Sequence, residues 1–75
     1  DFLKNIKLIY PNLSPHELKL CAYLRMNLSS KEIAQLESIS VRGVEIGRYR
    51  LRKKLKISTE TNLFDFLLTF SASKV

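Results

Sequence analysis

A chain of 75 residues with 45% apolar residues, two glycines and two prolines makes one small ordered domain rather than a disordered tail. A helical core of that length buries only about 60% of its unfolded surface, which leaves no room for an enzyme cleft with walls and a lid, and no apolar run approaches the ~18 residues that span a bilayer. The net charge of +6 is local: Arg42, Arg48, Arg50, Arg52, Lys53, Lys54 and Lys56 meet one anion, Glu45, between positions 42 and 56, and the other six cations and six anions cancel.

Residues 2–10 place Phe2, Ile6 and Ile9 at helical spacing, with Asp1 in position to cap and Pro11 to stop the helix. Lys4 and Lys7 interrupt this stretch, so it does not read as a signal peptide. The chain does not begin with Met and reads as a piece of a longer protein, with residues 1–12 as a short helix and connector to an upstream region. Ser14, Pro15 and Glu17 form a capping box with proline at the first helical position, which starts a helix over about 15–26. Leu20, Cys21, Leu24 and Leu28 share one face of it, and Asn27 suits a left-handed stop. Cys21 is the one cysteine of the sequence, which excludes an internal disulfide, and it lies on that apolar face, so it reads as a core residue in a reducing compartment. His16 stands alone in an exposed first turn, with no partner for metal binding or proton transfer.

Ser29 and Glu32 form a second capping box, opening a helix over about 30–37 with Ile33, Ala34 and Leu36 as its apolar side. Ser38, Ile39 and Ser40 leave space only for a tight turn, and Ser40 caps a third helix running to about Leu55. Two helices joined by so short a turn have the helix-turn-helix layout. At about 100° per residue, Val44, Leu51 and Leu55 point one way, as a core face. Arg42, Glu45, Ile46, Tyr49 and Lys53 point the other way. Arg50, Arg52 and Lys54 lie on the flanks, and Arg48 sits near the core edge, within reach of Glu17 or Glu32. Gly47 points coreward and reads as a close-packing position. Residues 58–62 are rich in capping types, and a final helix over about 60–70 carries Leu63, Phe64, Phe66, Leu67, Leu68 and Phe70. That is more apolar surface than one packing face uses, so part of it is expected to meet a partner. Residues 71–75 read as a frayed tail.

A charge run on a helix is usually a solvated face. Here the zero balance elsewhere and the preceding tight turn favour a polyanion binder instead. The major groove, about 12 Å wide, admits one helix. Flanking cations meet phosphates and set the register, and front residues meet base edges. In this reading Arg42, Glu45, Ile46, Tyr49 and Lys53 read bases. Glu45 suits a cytosine amino group and Ile46 a thymine methyl. Ser29, Ser30, Lys31, Ser40, Arg50, Arg52 and Lys54 hold phosphates, the first three through a helix N-terminus that favours an anion. No nucleophile set, phosphate loop or metal spacing is present, so neither enzyme activity nor a cofactor or small-molecule substrate is expected.

Leu13-Ser14-x-x-Glu17, Ser29-x-Lys31-Glu32-Ile33-Ala34, Ile39-Ser40-x-x-x-Val44 and Leu51-x-x-Lys54-Leu55-x-Ile57 stand in an ungapped order that resembles the LuxR/NarL-type (GerE-like) helix-turn-helix domain of bacterial transcription regulators. The likeness covers residues 13–70. The segment Val41-Arg42-Gly43-Val44-Glu45 with Arg48-Tyr49-Arg50-Leu51-Arg52-Lys53-Lys54-Leu55 is similar to a variant that ends long sensor-regulator chains, often behind tetratricopeptide or propeller repeats and a coiled coil. The resemblance implies an all-α, four-helix fold of the winged-helix-like superfamily, here with an extra short N-terminal helix. It also implies a cytoplasmic domain of a parent that can be membrane-anchored, with double-stranded DNA as partner and Glu45, Ile46 and Tyr49 toward the bases. The last helix then forms a homodimer through Leu63, Phe66, Leu67 and Phe70. Gly43, Glu45 and Gly47 depart from the Thr, Lys and His usual in the family, Asn27 from a Gly and Glu37 from a Leu. The competing readings are a protein-interaction module for an acidic partner and a promoter binder like domain four of sigma factors.

Overall fold

The computed structural model describes residues 2–70, and every regular element among them is a helix: α1 (Phe2–Ile9), α2 (Pro15–Arg25), α3 (Ser30–Glu37), α4 (Val41–Leu55) and α5 (Leu63–Leu68). The starts are set locally. Ser14 Oγ accepts the Glu17 N–H at 3.1 Å while Glu17 Oε1 accepts the Ser14 N–H at 2.8 Å, and Ser29 and Glu32 repeat the arrangement at the same two distances. Ser40 Oγ accepts from the Gly43 N–H at 3.0 Å, and Asn62 Oδ1 from Asp65 at 3.0 Å. Each bond satisfies an N–H that the first turn leaves without a partner. The expected cap Asp1 and the tail 71–75 lie outside the described residues.

The ends share a device. Asn27, Ser38 and Lys56 take left-handed conformations, with φ of 61°, 58° and 59°. The next residue in each case is apolar and bonds back five residues: Leu28 to the Tyr23 carbonyl, Ile39 to Ala34 and Ile57 to Arg52. This is the bond of the Schellman closure. Sequence singles out only Asn27, because serine and lysine are not residues that favour this conformation.

One core holds the molecule together: Ile6, Leu13, Leu20, Cys21, Leu24, Ile33, Ala34, Val44, Leu51, Leu55, Leu63 and Leu67, with no buried polar or charged residue among those described. α2 is central and touches α1, α4 and α5, and α3 packs on α4. Residues 1–12 were expected to be a short helix and connector; the helix is α1, and it packs into this same core, with Ile6 fully buried, Tyr10 Oη donating to the Leu55 carbonyl and Asn5 Nδ2 to that of Phe70. Two apolar positions assigned inward by periodicity face out instead: Ile9 and Leu36 are each 60% exposed. Both α1 and α3 have eight residues, and two turns present only a narrow stripe to the core.

The last helix also differs from expectation. It begins at Leu63 rather than near 60, because Arg52 Nη1 gathers the carbonyls of Ser58 and Thr61 and holds that stretch as a turn. Leu63 and Leu67, expected in a dimer contact, are 2% and 0% exposed in the molecule's own core. Part of the apolar surplus is used internally, with Phe66 edge-to-face on Phe70 and Phe70 edge-to-face on Tyr10, while Phe64 and Leu68 stay half-buried. Of the four residues expected to dimerise, only the half-buried Phe66 and Phe70 keep exposed edges.

Candidate nucleic-acid interface

The turn Ser38–Ser40 delivers α4 directly from α3. Val44, Leu51 and Leu55 anchor α4 in the core, as the wheel predicts, and so fix which residues point outward. Gly47 lies over α2, as expected, but a Cβ there would meet only Leu20 Cδ2, at 3.4 Å, so the packing does not require a glycine.

Arg42, Glu45, Ile46, Tyr49, Arg50, Lys53 and Lys56 are exposed. Lys53 Nζ lies 5.1 Å from the centre of the Tyr49 ring, a cation–π contact that restrains an otherwise mobile ammonium. Glu45 makes no hydrogen bond or ion pair among the described residues. The base-reading residues inferred from sequence therefore share one open face.

The expected phosphate group divides. Arg50 is exposed and unengaged. Arg52 is drawn into the turn after α4, with bonds of 3.0 and 2.6 Å to the Ser58 and Thr61 carbonyls. Lys54 reaches back to α2, 2.8 Å from Glu17 Oε1 and 3.2 Å from the Asn12 carbonyl. Arg48 was placed near the core edge, within reach of Glu17 or Glu32. Glu17 is instead taken by Lys54 and Glu32 closes its own cap, and Arg48 lies half-buried beside Leu24, Leu28, Asn62 and Phe64. Burial, and then the neighbouring Arg52, hold its guanidinium below its ordinary pKa, against the pull of Glu45. Of the seven cations between 42 and 56, removing Arg48, Arg52 and Lys54 leaves four facing solvent: Arg42, Arg50, Lys53 and Lys56.

At the start of α3, Ser29 is spent on its capping box and the Glu32 carboxylate already occupies the anion-attracting end. Ser30 is half-buried, and Lys31 is the exposed charge left there to face an anion. Ser40 likewise spends its hydroxyl on the α4 cap. Exposed apolar residues border the face: Leu36, Ile39 and Val41 around the turn, with Ile46 and Tyr49 on α4.

No protein-family model, curated protein or solved structure matches the chain.

Sequence reasoning missed one cluster beside this face. Glu37, noted only as a departure from a usual leucine, pairs with Lys19 at 3.3 Å and lies within the influence of the Tyr23 hydroxyl. The Tyr23 hydroxyl, ahead of Lys19 and against partial desolvation, holds the Glu37 carboxyl below its usual range. The cluster ties α3 to α2 at the rim of a cavity of about 20 Å³ lined also by Leu20, Ile33, Val44 and Gly47. The i, i+4 spacing of Lys19 and Tyr23 on α2 puts both on one side, which is the only local hint of it.

Among the described residues, no helix is long and apolar enough to cross a membrane.

Proposed function

We propose that the chain binds double-stranded DNA for transcription control, with α4 laid in the major groove in the manner of the LuxR/NarL-type domains it resembles in sequence. The observation that carries this reading is the set of four solvent-facing cations, Arg42, Arg50, Lys53 and Lys56, around an outward face bearing Glu45, Ile46 and Tyr49. A helix of about 10–12 Å diameter fits a groove about 12 Å wide. Cations along it release counterions from the phosphates on either side, which supplies most of the affinity at low salt.

The reading is tested by titrating duplex DNA at several salt concentrations. Arg50→Ala is expected to weaken binding to every sequence and to flatten the log–log salt slope by about 0.9. An unchanged slope removes Arg50 from the phosphate contacts, and no duplex binding at low salt removes the function.

A second reading, a docking module for an acidic protein, is favoured by the exposed apolar residues Leu36, Ile39 and Val41 beside the basic helix. Binding of an acidic peptide that survives Arg50→Ala but not Leu36→Ser would select it. A second copy of the chain, as partner through the last helix, would meet the half-buried Phe64, Phe66, Leu68 and Phe70 rather than Leu63 and Leu67.

A further inference from the structure

Glu45, Ile46 and Tyr49 form a chemical set that phosphate binding does not explain. Glu45 precedes Tyr49 by four residues and Ile46 precedes it by three, so the carboxylate, the branched chain and the ring are neighbours on one helix face. Ile46 is 41% and Tyr49 55% exposed, and Glu45 has no hydrogen-bond or ion-pair partner among the described residues. Apart from its longer-range attraction for Arg48, the carboxylate is unengaged, and facing a polyanion it is repelled unless it meets a donor. Two base edges in the major groove offer an amino donor. On adenine it lies beside the N7 acceptor, which repels a group that only accepts. On cytosine the amino group lies beside C5, a carbon. The 5-position of a pyrimidine is also where a methyl group stands in thymine, and Ile46 with the Tyr49 ring supplies the apolar surface for one.

Resting on the DNA-binding reading above, we infer that Glu45, Ile46 and Tyr49 together recognise a pyrimidine edge that presents an amino donor next to a 5-methyl group. Two sources supply that chemistry: a cytosine beside a thymine, or 5-methylcytosine, which unites both on one base. In either case the guanine opposite the cytosine offers O6 and N7 acceptors to Arg42 or to Lys53, which Tyr49 restrains.

The test uses the 75-residue chain and the duplex sites it selects from a random library. The best site is remade with deoxyuridine in place of each thymine, and separately with 5-methylcytosine in place of each cytosine, and dissociation constants are compared at fixed salt. Adjacent C and T predict a loss of about fourfold on removing one particular methyl. United recognition predicts a gain of about fourfold at one particular methylated cytosine. Glu45→Gln, at an exposed position where folding is not at stake, is expected to move the preference at that position from cytosine to adenine by roughly tenfold, because glutamine both donates and accepts. Binding with a normal salt slope that ignores both methyl exchanges overturns the inference and leaves DNA binding standing, as does a Glu45→Gln variant that keeps the cytosine. Absence of duplex binding at any salt overturns both.

Discussion

Glu17 Oε1 accepts two bonds at 2.8 Å, one from the Ser14 N–H that opens α2 and one from Lys54 Nζ near the end of α4. One carboxylate oxygen thus joins a helix cap to the helix proposed to meet DNA. Lys54 works for the fold, and its charge is not interchangeable with that of Arg50. Lys54→Ala is expected to cost up to about 1 kcal/mol, the range of a partly exposed ion pair, and to leave the salt slope of DNA binding unchanged. In a domain this small, that lowers the melting temperature by about 4–8 °C. Thermal melts and salt titrations of Lys54→Ala beside Arg50→Ala check the contrast.

The same carboxylate gives a pH dependence. Partial burial pushes the Glu17 pKa up, but the bond from Lys54, the bonds from Ser14 and the attraction of the ammonium outweigh it, so it lies below the usual 4.5. The unfolded chain therefore takes up this proton first as pH falls. The contribution is present above about pH 4.5 and is lost as pH drops through the lower folded value. Glu17→Gln, which can still accept the Ser14 N–H, should lower stability near neutrality and flatten the acid limb. Urea denaturation across pH 3–6 measures it, and parallel curves for the two proteins would remove Glu17 from the acid transition.

What was legible in the sequence is what is settled within three or four residues. The capping boxes of Ser14 and Ser29 and the coreward face of Val44, Leu51 and Leu55 are of that kind. What escaped depends on distant parts of the chain. Lys54 and Glu17 are 37 residues apart, and nothing near Lys54 marks it as taken. Leu63 and Leu67 looked available for a partner because the surplus of α5 was counted without α1, Tyr10 and α2 against it. The proposed DNA face was legible as a direction around α4, but the division of its cations into free and engaged was not.

The glycines stand where the backbone does not need them, while serine and lysine stand where it does. Gly47 is in mid-helix with negative φ, and its added Cβ would meet only Leu20 at ordinary contact distance. Gly47→Ala is expected to stabilise by about 1 kcal/mol. Gly43→Ala should gain less, because its Cβ would press the Ser40 capping oxygen at 3.3 Å. Ser38→Gly, by contrast, relieves a left-handed conformation that costs an L-residue about 1–2 kcal/mol, less the entropy glycine adds to the unfolded chain. Calorimetric melts of the three variants should rank Gly47→Ala above Gly43→Ala and put Ser38→Gly above the parent.

Cys21 has no exposed surface, and burial, helped by the Glu17 charge, pushes its thiol from 9.0 up to about 12. The native chain is therefore expected to react with a thiol reagent at pH 8 only through unfolding. Above pH 9.0 the unfolded thiol ionises while the native one does not, so stability falls as pH rises from there toward about 12. Cys21→Ala should lose part of that alkaline slope, whatever its absolute stability. Fast stoichiometric labelling under native conditions would contradict the burial.

The assignment of Leu67 to the core rather than to a dimer contact separates two outcomes that a simple affinity measurement confuses. Leu67 is fully buried, so Leu67→Ala is expected to cost about 2–5 kcal/mol, a large share of the roughly 5–15 kcal/mol that holds a domain together. If Leu67 met a second copy instead, much of that loss would vanish on dilution, because the stability of an obligate dimer depends on protomer concentration. The intramolecular placement predicts the same difference in melting temperature between parent and variant over about a hundredfold range of concentration. Leu8, 80% exposed on the outer side of α1, serves as the control: Leu8→Ser should change stability by no more than about 0.5 kcal/mol. Ile6→Ala, on the inner side of the same helix, should behave like Leu67→Ala, since Ile6 is fully buried in the one core. A mild Ile6→Ala would mean that α1 is the connector its position in the sequence suggests, and that Leu63 and Leu67 are covered without it.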